Sequence, residues 1–266
     1  KEVAEKYSSK TVLIHCWRGG MRSSGFAELL NKYGYTTHTL VRGYKAYRNY
    51  VLKSFEQKMD LLVLGGETGS GKTEILQLIH ELGEQTIDLE NIAHHKGSAF
   101  GSLGEQSQPT QEQFENNLAY EFSMLSFQKP IWVEDESRAI GKMQIPNPIW
   151  ATMKTSPIIR VKVPKTERIE RLMNDYGKFA KEELKQCILK IEKRLGPQHA
   201  KEALLELEQG NLRKVADITL AYYDKAYNYN HELRNFKDVF LMECENADAN
   251  QNAKNVLAFV HKRRRK

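Results

Sequence analysis

The stretch Leu61-Leu62-Val63-Leu64-Gly65-Gly66-Glu67-Thr68-Gly69-Ser70-Gly71-Lys72-Thr73 runs from a buried-strand pattern into a glycine-rich turn. Its last eight residues fit G-x-x-x-x-G-K-[ST], and a helical pattern follows from Glu74 to Leu82. In such a loop, backbone N–H groups and a helix N-terminus face phosphate oxygens, and the lysine reaches the distal phosphate. We therefore predict that Gly66–Thr73 bind a diphosphate or a triphosphate. The pattern leaves open whether a nucleotide carries that group.

Short apolar runs that alternate with helical patterns predict the fold around this loop. Further strands are expected at residues 85–88, 131–134, 158–163 and 238–242. Strands that alternate with helices are typical of a mostly parallel sheet covered on both faces. Residues 164–235 are helical in pattern and highly charged, which predicts a helical insertion or lid. The predicted fold class is α/β, with residues 58–266 forming a P-loop NTPase-like domain.

Three acidic residues follow the strand predicted at 131–134. Glu134, Asp135 and Glu136 stand at its carboxyl end, the edge of a parallel sheet at which ligands bind. A carboxylate at this edge lies near the Mg²⁺ that accompanies a bound diphosphate, and the loop hydroxyl is a second ligand. We predict Thr73 and Asp135 as Mg²⁺ ligands, with Glu134 as the alternative acid. An ordinary acidic turn is the competing interpretation.

The first 57 residues have an α/β pattern of their own. An apolar strand at 11–15 leads into Cys16-Trp17-Arg18-Gly19-Gly20-Met21-Arg22, a glycine-containing loop that enters a helix. A helix N-terminus and two nearby arginines favour the thiolate form of a cysteine, so Cys16 is a candidate reactive residue. An inert, small apolar residue is the alternative. Because residues 1–57 are too short for an independent open sheet, we expect that earlier strands are missing.

Composition and charge narrow the classes of function. The 266 residues are 40% apolar and 28% charged, which is typical of a globular protein and excludes the class of disordered tail proteins. Three cysteines without a zinc or disulfide pattern favour a reducing, cytoplasmic location. No stretch approaches the roughly 20 apolar residues of a membrane span, so a membrane partner is not expected.

Positive charge is concentrated at the two ends of the chain. Residues 1–56 contain ten Lys and Arg against four Asp and Glu, and the basic tail 262–266 consists only of Lys and Arg. Since the whole chain has a net charge of +6, the middle must be acidic. Basic ends favour a polyanionic partner such as nucleic acid, whereas solvated surface charge is the alternative.

The combination of the two loops resembles a known family. The Cys-x-Arg-Gly-Gly-x-Arg loop resembles the active loop of rhodaneses, which carries a persulfide or a related anion on its cysteine. Followed by a P-loop, it resembles the bacterial tRNA 2-selenouridine synthase family, selenophosphate-dependent enzymes that also geranylate 2-thiouridine. The similarity extends over residues 15–23, 65–73, 88–90, 94–101, 108–116 and 132–141. It implies a partial rhodanese-like domain at 1–57, with an incomplete anion pocket, before the P-loop domain.

The resemblance implies a tRNA-modifying transferase. Members of this family convert wobble 2-thiouridine to 2-selenouridine through S-geranyl-2-thiouridine, with geranyl diphosphate and selenophosphate as co-substrates. By this resemblance Gly66–Thr73 hold the diphosphate, and Cys16 carries or guides selenium within the Trp17–Arg22 loop. The implied partner is a tRNA that presents its anticodon loop and wobble uridine. A protein that supplies selenophosphate is a second candidate partner.

The same resemblance suggests further contacts. Candidate substrate contacts lie in polar loops after predicted strands, at His95, Lys96 and Arg138. Candidate contacts to the tRNA backbone lie in the basic first segment, at Arg42, Lys45, Arg48 and Lys53. Aromatic side chains that would stack on the wobble region, or else pack within the helices, are Tyr222, Tyr223, Tyr227 and Tyr229.

Two other classes of function remain open at the level of sequence. The first is an ATP-dependent, kinase-like P-loop enzyme fused to a rhodanese sulfurtransferase module, for which nucleotide hydrolysis without tRNA is the discriminating observation. The second is a non-catalytic tRNA-binding module with a vestigial cysteine loop, for which equal activity of the parent and Cys16→Ser is the discriminating observation.

Overall fold

The structure is a computed structural model that describes residues 10–232 and 239–264, without the side chains of residues 230–232. The chain divides into two compact units, Lys1–Gln57 and Lys58–Lys266. Four parts of the sequence predictions lie outside the described residues: the start of the first domain at 1–9, the end of the helical segment at 233–235, the strand residue Asp238, and the last two residues of the basic tail.

Unit 1 contains two parallel strands and two helices. In chain order they are β1 (Thr11–Ile14), α1 (Met21–Lys32), β2 (Thr36–Thr39) and α2 (Gly43–Ser54). Thr11 lies opposite Thr36 in the parallel ladder. Because the strands are parallel, the loops that follow β1 and β2 lie at the same edge, and the Tyr44 N–H donates to the Cys16 carbonyl at 2.9 Å.

Unit 2 is built on a parallel sheet. Its strands within the described residues are β3 (Leu61–Gly66), β4 (Gln85–Ile87), β5 (Ile131–Glu134), β6 (Ala139–Ile140), β7 (Met143–Gln144), β8 (Ile158–Lys162) and β9 (Val239–Glu243). The main sheet has the order β4-β5-β3-β8-β9, with every neighbouring pair parallel. The strand that carries the P-loop, β3, is therefore central and buried along its whole length.

Helices cover the sheet and form a separate layer of unit 2. Those of the described residues are α3 (Lys72–Glu81), α4 (Leu89–Ala93), α5 (Gln111–Ser123), α6 (Asn147–Thr155), α7 (Lys165–Tyr176), α8 (Lys181–Leu195), α9 (Pro197–Glu208), α10 (Leu212–Glu232) and α11 (Ala249–Arg264). On one face, α3 and α11 pack apolar side chains such as Ile75, Ile79 and Val256 onto Leu62 and Trp132. The predicted parallel α/β fold of the P-loop domain is confirmed.

The predicted helical segment at 164–235 is confirmed over its described part. Helices α7–α10, here called the helical lid, occupy residues 165–232, and several of them share an apolar cluster that includes Leu184, Ile188, Leu207 and Val215. The lid therefore has a core of its own, which gives its side chains defined positions.

The strand predictions hold apart from single-residue differences at strand ends. The strand predicted at 85–88 ends at Ile87, because the Asp88 side chain accepts a hydrogen bond from the Asn91 N–H at 2.8 Å and caps α4. The strand at Ile158 ends one residue earlier than predicted, at Lys162. Among the described residues, the search for membrane-spanning segments found no helix of sufficient length and apolarity to cross a bilayer.

Candidate active site

The P-loop connects β3 to α3 through backbone conformations that require glycine. Gly69 and Gly71 have φ values of +80° and +78°, in the left-handed region that glycine adopts without strain. A Cβ at Gly71 would also lie 2.9 Å from the Arg171 guanidinium. The turn therefore brings Lys72 and Thr73 to the N-terminus of α3, where helix N–H groups face an anion.

Both polar side chains at the start of α3 have partners in unit 2. Lys72 Nζ donates to the Gly66 carbonyl at 2.9 Å, so the side chain folds back over the loop. Thr73 Oγ1 donates to Glu90 Oε2 at 3.0 Å. Glu90 belongs to α4, directly after β4, so the carboxyl edge of the sheet supplies an acid beside the loop hydroxyl.

Arginines from β8 and the helical lid hold the P-loop backbone in place. Arg160 Nη2 donates to Glu67 Oε1 at 2.6 Å, and Glu67 is only 7% exposed. Arg168 donates to the Thr68 carbonyl at 3.1 Å and forms a two-point ion pair with Asp224 at 2.7 and 2.8 Å. Such charge-assisted, forked contacts restrict a loop more than neutral single hydrogen bonds do.

Tyr227, from the last turns of the lid, reaches the same loop. Its hydroxyl accepts the Gly66 N–H at 2.6 Å, and the Arg160 guanidinium lies 4.9 Å from the ring centroid. Burial raises the pKa of the Tyr227 hydroxyl well above its usual value, and the charge of Asp135 and a hydrogen bond to that carboxylate raise it further. The phenol therefore stays protonated and links the P-loop to Asp135.

Four carboxyl groups are concentrated beside Thr73. Glu134 is fully buried at the end of β5, and neither of its oxygens has a hydrogen-bond partner within the described chain. Burial raises its pKa well above the usual value, and the charges of Glu90, Asp88 and Glu136 add to that effect. Burial and Glu90 likewise raise the pKa of Glu136. The cluster thus holds protons that isolated carboxyl groups would release.

The donors around Thr73 fit a hard divalent cation. Among residues 10–232 and 239–264, no three His, Cys, Asp or Glu side chains form a ready-made metal site. Mg²⁺ does not need one, because it keeps several waters and uses substrate phosphate oxygens with one or two protein ligands. The oxygen set around Thr73 and Glu90 meets this requirement. Thr73 and Asp135 as Mg²⁺ ligands remain a prediction, and Glu90 is a further candidate ligand.

A large polar cleft opens in front of the P-loop. Its volume is about 990 Å³, and it is lined by the loop, by Asp135 and Glu136, and by the inner faces of lid helices. Cationic side chains on its wall are Lys72, Lys96, Arg171, Lys190 and Arg194. The same wall carries as many acidic side chains, at Glu74, Glu90, Asp135, Glu136 and Asp175. A cleft of mixed charge around a P-loop favours an anionic ligand that binds together with a cation.

The predicted substrate contacts differ in their placement. His95 and Lys96 line the cleft, whereas Arg138 is exposed between the lining residues Ser137 and Ala139. His95 Nδ1 is buried without a hydrogen-bond partner in the described chain. Burial, reinforced by the charge of Lys190, lowers the pKa of His95, so its imidazole is neutral at physiological pH. Of the two predicted acids, Asp135 lines the cleft and Glu134 lies buried behind it.

Cys16 lies in unit 1, between β1 and α1. The Gly20 N–H donates to its Sγ at 3.3 Å, and Ser23 Oγ lies 3.3 Å from the same sulfur. The Ser23 hydroxyl, followed by the Gly20 N–H, lowers the pKa of the thiol to about 6. At neutral pH the side chain is therefore mostly thiolate, the nucleophilic form.

Close backbone packing shapes the Cys16 loop. Gly19 and Gly43 both have φ +65°, and a Cβ on Gly43 would collide with the Cys16 carbonyl and the Gly19 nitrogen. The loop thus rests on the start of α2, where the Lys45 N–H donates to the Trp17 carbonyl at 2.9 Å. The predicted flanking side chains are exposed around it: Trp17, Arg18, Met21 and Arg22.

The other predicted tRNA contacts lie on or next to α2. Arg42, which precedes α2 with φ +59°, is exposed, as are Lys45 and Lys53, while Arg48 is half-buried. Of the four tyrosines, Tyr222, Tyr223 and Tyr227 line the P-loop cleft and Tyr229 is exposed. The hydroxyls of Tyr223 and Tyr227 accept backbone N–H groups, so packing accounts for these two.

Sequence reasoning missed several residues of the P-loop site. Glu90 follows β4 as Asp135 follows β5, so the rule that ligands bind at the carboxyl edge of a parallel sheet was a usable signal for it. Glu136 was seen in the sequence but not selected. Arg160 and Arg168 gave no local signal, and Tyr227 was predicted to stack on the wobble region or to pack, not to contact the P-loop. The contacts of all three with the P-loop cross about 90 to 160 positions of sequence.

Comparisons with known proteins give the family. A sequence profile described as the tRNA 2-selenouridine synthase AAA domain matches residues 59–258. The tRNA 2-selenouridine synthase of Aeromonas salmonicida is 34% identical over 261 residues, which cover 85% of this chain and 69% of that protein. That of Bdellovibrio bacteriovorus is 33% identical over 276 residues, with 86% and 71% covered. The chain belongs to the tRNA 2-selenouridine synthase family.

Membership of the tRNA 2-selenouridine synthase family confirms the predicted resemblance and makes the chain an enzyme of tRNA modification. A solved shikimate kinase from Acinetobacter baumannii aligns over 81% of this chain and 99% of its own at 16% identity and a TM-score of 0.37, too low to support a conclusion. The rhodanese-like nature of unit 1 remains a prediction.

The acidity of Cys16 has a measurable consequence. We expect its alkylation by iodoacetamide to rise with pH around a midpoint of about 6, because the thiolate is the reacting form. Ser23→Ala should move the midpoint upward, since it removes the largest cause of the lowered pKa. Peptide mass spectrometry across a pH series measures the rate at each cysteine.

Cys187 and Cys244 are internal controls in the same protein. Both are buried, and burial raises the pKa of each thiol, so they should stay unmodified until the protein unfolds. A midpoint for Cys16 near 9, its ordinary value, would contradict the geometry of the loop.

Glu134 makes folding stability depend on pH. Its folded pKa is raised above the ordinary 4.5, so its contribution to stability falls as pH rises from 4.5 through the folded value. Glu134→Gln removes the titrating group and nearly keeps the shape. We expect the unfolding free energy of this variant to fall less than that of the parent between about pH 5 and about pH 8.

Urea denaturation at both pH values gives the comparison, with Glu81→Gln, an exposed site on α3, as the matched control. The control should follow the parent. If the unfolding free energies of Glu134→Gln and the parent changed equally with pH, ionisation of Glu134 would cost the folded state no free energy.

Proposed function

We propose that this chain converts wobble 2-thiouridine of tRNA to 2-selenouridine in two steps, with geranyl diphosphate and selenophosphate as co-substrates. The observation that carries the proposal is the large polar cleft in front of a complete P-loop, with Lys72 and Arg171 on its wall, in a chain that also presents an acidic cysteine. Its relatives from Aeromonas salmonicida and Bdellovibrio bacteriovorus are tRNA 2-selenouridine synthases, which supports tRNA as the substrate class and 2-selenouridine as the product. The geranylated intermediate comes from the family resemblance.

The first step joins the geranyl group to sulfur. The thiocarbonyl sulfur of the base attacks C1 of geranyl diphosphate, the C1–O bond breaks, and the diphosphate leaves with both electrons. The base loses its N3 proton. Negative charge develops on the diphosphate, where the Lys72 ammonium, the Arg171 guanidinium and the P-loop N–H groups face it. Mg²⁺ held at Thr73 would supply further neutralisation of that charge when bound.

His95 is the proposed acceptor of the N3 proton. It lines the cleft, its Nδ1 has no hydrogen-bond partner within the described residues, and its lowered pKa keeps it neutral. A neutral imidazole with an unpaired ring nitrogen can accept a proton as a general base. Lys96, 3.4 Å from Glu105 and 6.0 Å from the Tyr176 ring centroid, is the proposed neighbour for a substrate phosphate.

The second step exchanges sulfur for selenium. The selenium of selenophosphate attacks C2 of the S-geranyl base, the C2–S bond breaks, and geranylthiol leaves after taking up a proton. Water then cleaves the P–Se bond, so phosphate leaves and selenium remains on C2. Alkylation of the sulfur makes this step feasible. It makes C2 of the base more electrophilic than it is in the thiocarbonyl form, and it allows the sulfur to leave as a thiol. The Cys16 loop is the proposed carrier or guide of selenium. Its N–H groups at the start of α1 already stabilise a negative sulfur.

Nucleoside analysis of tRNA tests the assignment of the two steps. In cells that lack their own 2-selenouridine synthase, the parent should restore 2-selenouridine. Cys16→Ser should accumulate S-geranyl-2-thiouridine, because only the second step needs the cysteine. Lys72→Ala should leave 2-thiouridine, since it weakens diphosphate binding. Lys154→Ala, an exposed lysine on α6, is the matched control and should behave as the parent.

Other outcomes would select other mechanisms. Full selenation by Cys16→Ser would remove the cysteine from the reaction. A Lys72→Ala variant that loses ATP binding but keeps geranylation would favour the kinase-like alternative, in which the P-loop serves a nucleotide. Steady ATP hydrolysis without tRNA by the parent would support the same alternative.

The proposed tRNA surface is the exposed basic side of α2. Arg42 and Lys45 are both exposed there, so the double variant Arg42→Glu, Lys45→Glu should weaken tRNA binding. The slope of log affinity against log salt should become shallower by about one for each lost phosphate contact. Fluorescence anisotropy at several salt concentrations measures both. The double variant Lys32→Glu, Lys154→Glu, at two exposed lysines, controls for net charge because it also changes the charge by four. An unchanged slope in the Arg42→Glu, Lys45→Glu variant would refute this surface.

A further inference from the structure

A second, smaller cavity lies within unit 2 beside the phosphate-binding cleft. Its volume is about 60 Å³. The lid helices α7, α8 and α10 form most of its wall, and one side is closed by the segment that contains Phe100. The apolar side chains that line it include Phe100, Leu172, Met173, Leu184, Leu212 and Val215. Transfer of a hydrocarbon group from water into an apolar cavity of this kind is favourable in free energy, because apolar surface is removed from water.

The cavity is continuous with the wall of the cleft. Residues that line both spaces are Thr68, Ser98, Leu172, Tyr176 and Tyr223. Thr68 belongs to the P-loop itself, so the cavity lies beside the loop that would hold the phosphates of a ligand. A group esterified to a diphosphate on Gly66–Thr73 is therefore within reach of the cavity.

The polar groups in the wall are already hydrogen-bonded within the protein. Tyr223 Oη accepts the Ala99 N–H at 3.1 Å, Ser98 Oγ accepts the Phe100 N–H at 3.2 Å, and Thr219 Oγ1 donates to the Val215 carbonyl at 2.9 Å. A nucleobase placed here would lose the hydrogen bonds that its edge makes with water and find few in return. A hydrocarbon chain has no such requirement.

We propose that this cavity, here called the prenyl pocket, binds the far end of the hydrocarbon chain of a prenyl diphosphate. The proposal rests on the proposed function and names the part of the site that would select chain length. A space of about 60 Å³ is too small for a whole ten-carbon chain, so the first carbons remain in the cleft. That arrangement leaves C1 beside the diphosphate, where the sulfur must attack it.

Ala216 offers a direct test, because it lines the pocket on α10. Ala216→Phe should fill the pocket and weaken the binding of geranyl diphosphate about ten-fold, the effect of excluding roughly two methylene groups. Binding of inorganic pyrophosphate, which has no chain, should stay within about two-fold. Dimethylallyl diphosphate, with five carbons, should be affected less than geranyl diphosphate. Isothermal titration calorimetry with Mg²⁺ present gives all three affinities.

Ala221→Phe is the matched control: the same substitution on the same helix, at an exposed position. It should bind all three ligands as the parent does. Met173→Ala enlarges the pocket instead, and should raise the affinity for the fifteen-carbon farnesyl diphosphate relative to geranyl diphosphate. Met173→Ala tests the prenyl pocket even if Ala216→Phe folds poorly. An unchanged ratio of the affinities for farnesyl and geranyl diphosphate would overturn the prenyl pocket.

The failures of the two proposals are distinguishable. If the parent binds geranyl diphosphate no more tightly than pyrophosphate, the proposed function loses its first co-substrate and the pocket fails with it. If the parent prefers geranyl diphosphate but Ala216→Phe binds it equally well, the prenyl pocket is wrong while the proposed function stands. Selective loss of geranyl diphosphate binding in Ala216→Phe supports both.

Discussion

The site in unit 2 depends on the side chains that hold the P-loop backbone. The Gly66 N–H lies at the end of a fully buried strand, where an unpaired amide would cost about 1–3 kcal/mol. Tyr227 supplies the acceptor from α10, 161 positions away in the sequence. Arg160 and Arg168 fix the next two residues of the loop through Glu67 and the Thr68 carbonyl. The loop is thus positioned by the lid before any ligand arrives, which lowers the cost of ordering it on binding.

The side-chain contacts that hold the P-loop also involve the acids behind the loop. Tyr227 ties Asp135 to the P-loop, while Glu134 lies buried and without a partner within the described chain. A cluster of carboxyl groups in a buried place keeps protons unless a cation replaces them. Lys72 is one such cation and is already part of the P-loop, whereas a divalent cation would arrive together with a diphosphate. The negative cluster therefore favours a ligand that comes with its own cation.

Local sequence patterns were sufficient to predict the positions of the two loops and of most strands. They were insufficient to predict which distant side chains contact the P-loop. The Gly66–Thr73 pattern predicted β3, the turn and α3, because hydrophobicity, glycine placement and the helix N-terminus are all local properties. Similar local reasoning placed Cys16 at a helix N-terminus, where Gly20 and Ser23 contact its sulfur. The arginine and tyrosine contacts could not be predicted, since they depend on how α7 and α10 fold back over the sheet. The role of Arg18 and Arg22 was overestimated for the acidity of Cys16: the hydrogen bonds of Ser23 and Gly20 have the largest effects.

The two anion sites differ in a way that matches the two proposed steps. The P-loop site has cations, buried acids and an apolar cavity next to it, so it suits a leaving group with several charges attached to a hydrocarbon. The Cys16 site has N–H groups and a hydroxyl around a half-buried sulfur, with Arg18 and Arg22 exposed in the same loop, so it suits one soft anion. A diphosphate must be neutralised to leave, whereas a selenium nucleophile must keep its charge to attack. Dipoles alone beside a diphosphate would stabilise its several charges too little. A chain that performs both steps therefore needs two separate sites, which is the arrangement that the sequence of this protein provides.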